Sequence, residues 1–118
     1  MGQRQELGRY GEDAAAAYLT RCGMRVVARN WRCRYGEIDI IARDGAVLVF
    51  CEVKTRSGTG FGVPLAAITR VKLARMRRLA VLWLDEAGAH RGPIRIDAVG
   101  LLRRPDGRFE IEHVAGVS

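Results

Sequence analysis

The stretch that most constrains the fold is GEIDIIARDGAVLVFCEVKTR, Gly36 to Arg56, in which two alternating runs flank Asp44-Gly45. Alternation at period two predicts strands, over residues 36–43 and 46–56, and an Asp-Gly pair between such runs is a strong hairpin signal. With Asp44-Gly45 as a two-residue turn, residue 43 pairs with 46. Asp39 then lies opposite Phe50, with Glu52 as its diagonal neighbour. Successive side chains point to opposite faces of a strand. Glu37, Asp39, Ile41, Leu48, Phe50, Glu52 and Lys54 therefore share one face. The other, Ile38, Ile40, Val47, Val49, Cys51 and Val53, is purely apolar and is expected to be core. A slip of one residue would exchange the two sets.

The remaining elements follow from local signals. Residues 3–22 read as a helix with Leu7, Gly11, Ala14, Ala15, Tyr18 and Cys22 on one face and Glu12 at its margin; Gly23 ends it. Residues 25–33 read as an Arg-rich strand. Residues 57–62 form a loop, and Pro64 suits the first turn of a helix running to Glu86. Strands are expected over 93–102 and 108–114, joined around Pro105-Asp106-Gly107. The order helix, three strands, helix, two strands predicts an α/β layer fold with a central mixed sheet. The 118 residues fit one domain spanning 1–118, and 48% hydrophobic content supports a core.

The hairpin segregates its charges. Diagonal cross-strand neighbours lie ~7–8 Å apart, close enough for two carboxylates to share one ion. Carboxylates that close raise one another's pKa unless a cation intervenes. A hard divalent ion, Mg²⁺ or Mn²⁺, prefers such oxygen ligands and keeps positions open for phosphate and water. Lys54, on the same face as Glu52, is placed to stabilise charge on a phosphate. The alternative is a solvated face of cross-strand ion pairs among Glu37, Glu52 and Lys54, against which Ile41, Leu48 and Phe50 on that face need cover. In the second helix, Ile68, Lys72, Met76, Leu79 and Trp83 fall within one arc, so Lys72 is a lysine among apolar residues.

Net charge is +7 with a pI of about 10.2, which fits a polyanionic partner or simply a basic surface. Of the 20 basic residues only Lys54 and Lys72 are lysine, which suggests positions where a compact ammonium is needed. No apolar run approaches the ~20 residues of a membrane span, and the charged N-terminus lacks the apolar middle of a secretory signal. Cys22, Cys33 and Cys51 show no CxxC spacing and read as reduced packing residues of a cytoplasmic protein, not a zinc site.

Asp39, Glu52 and Lys54, on a hairpin between an N-terminal helix and a long helix, resemble the PD-(D/E)xK nuclease motif, with Ile38 where the pattern names proline. The segments GRYGEDAAAAYL, GEIDIIARDG and VFCEVKTRS resemble the YraN-type family of uncharacterised bacterial proteins, which is similar to archaeal Holliday-junction resolvases and restriction endonucleases. The resemblance implies a restriction endonuclease-like fold, Asp39 and Glu52 as metal ligands assisted by Glu12, and Lys54 as the catalytic lysine. The activity so implied is Mg²⁺-dependent hydrolysis of DNA phosphodiester bonds, in branched or damaged structures. Lys72, Arg56, Arg34 and Arg75 are the candidate nucleic-acid contacts. The alternatives are a non-catalytic nucleic-acid-binding module and a domain that binds an acidic protein. A homodimer would give two sites for symmetric cleavage. Trp31 and Phe61 are its candidate interface aromatics, unless Trp31 packs under the N-terminal helix and Phe61 caps the core.

Overall fold

The computed structural model describes residues 3–58, 69–88, 90 and 92–117, with side chains from residue 6 onward. The elements are α1 (Gln3–Arg21), β1 (Arg25–Cys33), β2 (Gly36–Asp44), β3 (Val47–Ser57), α2 (Arg70–Ala87), β4 (Ile94–Arg103) and β5 (Phe109–Val114). The five strands form one sheet in the order β1-β2-β3-β4-β5. Neighbours are antiparallel except β3 and β4, which are parallel. This is the mixed α/β architecture expected from the alternation. A parallel pair needs a crossover connection, and α2 lies within it.

One helix covers each face of the sheet. Ala15 and Leu19 of α1 pack on Ile40, Ala42, Val49, Cys51, Val99 and Leu101. Leu73, Met76, Leu79 and Ala80 of α2 pack on Ile38, Ile41, Leu48, Phe50 and Ile96. Phe50 adds an edge-on contact with Trp83, ring centroids 5.8 Å apart. Each large side chain so buried contributes about 1.5–3 kcal/mol. Among the described residues no helix is long and apolar enough to cross a membrane.

Four expectations are corrected. The hairpin register is shifted by two residues: Asp44 pairs with Val47 and Ile41 with Phe50. A type I′ turn on Asp44-Gly45 needs positive φ at both residues. Only Gly45 has it (φ 60°), so Gly45-Ala46 forms the turn and Asp44 stays in the strand. Second, Ile38 does not share a core with Ile40, and alternation breaks at Asp39. The β2–β3 ladder ends at Ile40–Cys51, and beyond it the Asp39 side chain, not the β2 backbone, accepts the Val53 amide at 2.7 Å.

Third, α2 does not start at Pro64. Thr69 is an extended N-cap whose hydroxyl accepts the Lys72 amide, and Gly88 closes the helix in the left-handed region. Pro64, Phe61 and Ile68 lie outside the described residues. Fourth, Cys22 is exposed beyond the end of α1, whereas Cys51 is buried and Cys33 partly so. Trp31 packs with the α2-side core, not under α1.

α1 sits unusually close to the sheet. Gly11 is buried against Thr55, and a Cβ on Gly11 would fall 2.1 Å from the Thr55 hydroxyl oxygen. Only the absence of a side chain allows that approach. It brings Glu12, the next residue, to the end of β2.

Candidate functional site

The site lies where β2 and β3 part, at the C-terminal ends of the parallel pair β3 and β4. In open α/β sheets this is the usual place for a ligand. Carboxylate oxygens of Glu12, Glu37 and Asp39 lie within 4.8 Å of one another, close enough to hold one ion together. Glu12 is held by Arg29, whose Nε and Nη2 both donate to Oε1 at 3.2 Å; Asp13 accepts from the same guanidinium at 2.6 Å. Glu37 accepts from Arg32 Nε at 3.0 Å. Glu52 stands outside the trio and pairs with Lys54 Nζ at 3.3 Å.

Asp39 is the electrostatic centre. Burial pushes its carboxyl up to about 7, the Val53 amide acts against that shift, and the charges of Glu37, Glu12 and Glu52 add to it. A carboxyl crowded by three others is the environment a bound cation would relieve.

Two clefts meet at Asp39. One, on the α1 side, is lined by Gly8, Glu12, Asp39, Lys54, Thr55 and Arg56. The other, on the α2 side, is lined by Asp39, Glu52, Lys54, Lys72, Arg75 and Met76. Glu12 and Arg56 line the first, Glu52, Lys72 and Arg75 the second, and Asp39 and Lys54 both, so each of these candidates is at one or both clefts. Arg34 is not. It sits in the β1–β2 turn over the Tyr35 ring, 5.3 Å from its centroid. Lys72 and Arg70 occupy the first turn of α2, which has no acidic residue. Cations there add to the positive end of the helix dipole, so the start of α2 is electropositive.

Two features went unread in the sequence. Glu37 was counted on the acidic face but not as a ligand; its place two residues before Asp39 was the available signal. The second is a network around Asp97, which is fully buried on β4. Asp97 accepts from Arg95 at 2.8 and 3.0 Å and from the Gly116 amide at 3.0 Å, and lies 2.7 Å from His113 Nε2. His113 Nδ1 lies 3.3 Å from the Tyr18 hydroxyl, and Arg95 reaches Asp44 at 3.1 Å. Burial pushes the Asp97 carboxyl up, but Arg95, His113 and the Gly116 amide outweigh it and leave the pKa lowered. A lone aspartate in the apolar run Ile96–Leu102 was the sign of such a network.

The chain is 57% identical to the UPF0102 protein of Streptomyces griseus over 119 residues, covering all of both chains. It is 52% identical to that of Beutenbergia cavernae over 117 residues, 99% of both chains. It is 51% identical to that of Nocardia farcinica, over 99% of this chain and 92% of the relative. The model of the uncharacterised protein family UPF0102 matches residues 11–101, from the glycine that seats α1 to the end of the β4 core, and the chain belongs to that family.

Proposed function

We propose that the protein is a Mg²⁺- or Mn²⁺-dependent DNA nuclease of the restriction endonuclease-like superfamily, akin to archaeal Holliday-junction resolvases and acting in the cytoplasm on branched or damaged DNA. The observation that carries this reading is the crowding of Glu12, Glu37 and Glu52 around Asp39 with Lys54 beside them. The donor set is all carboxylate oxygen, which suits a hard divalent cation. Glu12, Glu37, Asp39 and Glu52 would hold it. A cation in that place supplies Lewis-acid polarisation of the phosphate and an acidified water.

The chain's own residues do the rest. Arg29 fixes Glu12, and the Val53 amide fixes one oxygen of Asp39. The Lys54 ammonium stabilises negative charge developing on the phosphate. Lys72, Arg75 and Arg56 bind the DNA backbone without regard to sequence. Arg34, at the β1–β2 turn, contributes at a distance.

The test is Mg²⁺-dependent cleavage of a panel of linear, flapped and four-way DNA, with Mn²⁺ calorimetry alongside. Wild type binds Mn²⁺ and cuts at least one substrate; Asp39→Asn with Glu52→Gln does neither. Equal Mn²⁺ binding by the two proteins removes the site. The Lys54–Glu52 pair favours one second reading, a non-catalytic DNA-binding module in which that pair is a static brace; binding without cleavage across the panel would establish it. Symmetric cutting of two strands needs two sites. We therefore expect light scattering to give twice 13.1 kDa, and a monomer mass with and without DNA would indicate nicking or simple binding.

A further inference from the structure

The two clefts at Asp39 do not stop there. On the α2 side the cleft continues through Arg75 and Leu79 to a recess lined by Tyr35, Ala74 and Arg78. On the α1 side it continues through Leu7 and Ser57 to one lined by Tyr10, Arg103 and Arg104. Each outer end carries an exposed tyrosine beside arginine. Tyr35 is 45% exposed, with the Arg78 guanidinium 4.3 Å from its ring centroid; Tyr10 is 53% exposed, with Arg103 at 5.7 Å.

The path therefore starts on one face of the sheet, passes Asp39 where the β2–β3 pairing ends, and finishes on the other face. Duplex DNA has a persistence length of ~150 base pairs and follows such a turn only at a deformation cost of several kcal/mol. A single strand follows it without that cost. Aromatic rings alternating with cations are how sequence-neutral single-strand sites are built, because every base has a face to stack and every linkage a phosphate.

We propose that this groove binds a single-stranded DNA segment, with bases stacked on Tyr10 and Tyr35 at its two ends and the intervening nucleotides passing the acidic cluster. The proposal rests on the nucleic-acid reading of the site and narrows its substrate to DNA with a single-stranded arm or gap.

The test is fluorescence anisotropy in EDTA with a fluorescein-labelled oligothymidylate of ~20 nucleotides and a blunt duplex of similar length. Wild type should bind the single strand more tightly. Tyr10→Ala and Tyr35→Ala should each weaken single-strand binding roughly ten-fold, the scale of one lost stacking contact, and change duplex binding less than two-fold. Tyr10→Phe and Tyr35→Phe should keep wild-type affinity, since the ring and not the hydroxyl stacks. Alanine variants that bind the single strand as wild type does, or a wild type that prefers the duplex, overturn the proposal while leaving metal-dependent cleavage standing. A wild type that binds neither also overturns this proposal, and the cleavage assay with Mg²⁺ then decides the proposed function separately.

Discussion

Asp39 and Asp97 sit on either side of β3, close enough that the charge of each bears on Cys51 between them. Both are removed from bulk water, and their surroundings differ completely. Asp97 has Arg95, His113 and a backbone amide, and its pKa is lowered. Asp39 has one amide and three carboxylates, and its pKa is raised to about 7. The first site is complete within the chain. At the second the cations pair with the neighbouring carboxylates, Arg29 with Glu12, Arg32 with Glu37 and Lys54 with Glu52. A carboxylate supplied with all its partners holds the fold together; under the proposed function, the one crowded by other carboxylates is the place for a cation.

The contrast breaks most visibly at Lys54. Lys54→Ala should lower cleavage by about 10²–10³-fold, the scale for losing one donor to developing charge. It should leave DNA affinity nearly unchanged, since several arginines share the backbone binding, and should lower the melting temperature only slightly, since the Lys54–Glu52 pair is partly solvated. Lys54→Arg should fail as well, because a planar guanidinium does not replace a point-charge ammonium. Weak binding with normal turnover of bound DNA would contradict the assignment.

Asp97→Ala should do the reverse. It strands Arg95 and His113 beside the core, and breaking a buried pair typically costs about 3–5 kcal/mol, readable in urea unfolding. Mn²⁺ binding by the folded variant should persist. Loss of metal binding at unchanged stability would make Asp97 part of the site.

Proton linkage should also have opposite signs at the two residues. Asp39's raised pKa favours folding below its ordinary value of 3.8, and that contribution is lost as pH rises through about 7. Asp97's lowered pKa gives stability present above 3.8 and lost as pH falls through its folded value. Without divalent metal, wild type should lose up to a few kcal/mol between pH 5 and 8 at about 1.4 kcal/mol per pKa unit. Asp39→Asn should flatten that fall. A wild-type profile flat over this range would mean Asp39 is not held as described.

The smallest expected effect concerns how Glu12 reaches the site. Gly11→Ala should push α1 off Thr55 at a cost of about 1–3 kcal/mol. Mn²⁺ affinity should fall as Glu12 retreats. Adding Thr55→Gly should restore most of the metal affinity; unchanged affinity in the single variant would show that α1 does not set the ligand position.

Much of this was legible because period-two alternation carries both strand identity and side-chain facing. Glu52 and Lys54 were placed by it, and a two-residue register error left their facing intact, since an even shift conserves faces; Asp39 was assigned to the right strand, at the point where alternation breaks. The fork at Asp39 was not legible. It depends on a side chain taking the Val53 amide, which alternation cannot encode. The Asp97 network was hidden for a different reason: only Arg95 is near in sequence, His113 and Gly116 are 16 and 19 residues away, and Tyr18 is 95 residues from His113. The start of α2 was misplaced because Pro64 suits a first turn as well as Thr69 suits a cap, and only backbone geometry distinguishes them.

The Val53 amide has a use beyond the architecture. It donates to a carboxylate crowded by the rest of the cluster, so its proton resonance is a built-in reporter of that carboxylate's state. In a ¹⁵N correlation spectrum this one peak should move with the ionisation of Asp39 as pH is raised. It should move again on addition of a divalent ion, before any substrate is present, while amides in the regular β3–β4 ladder stay in place. Occupancy of the site could then be followed residue by residue without waiting for a substrate to be found.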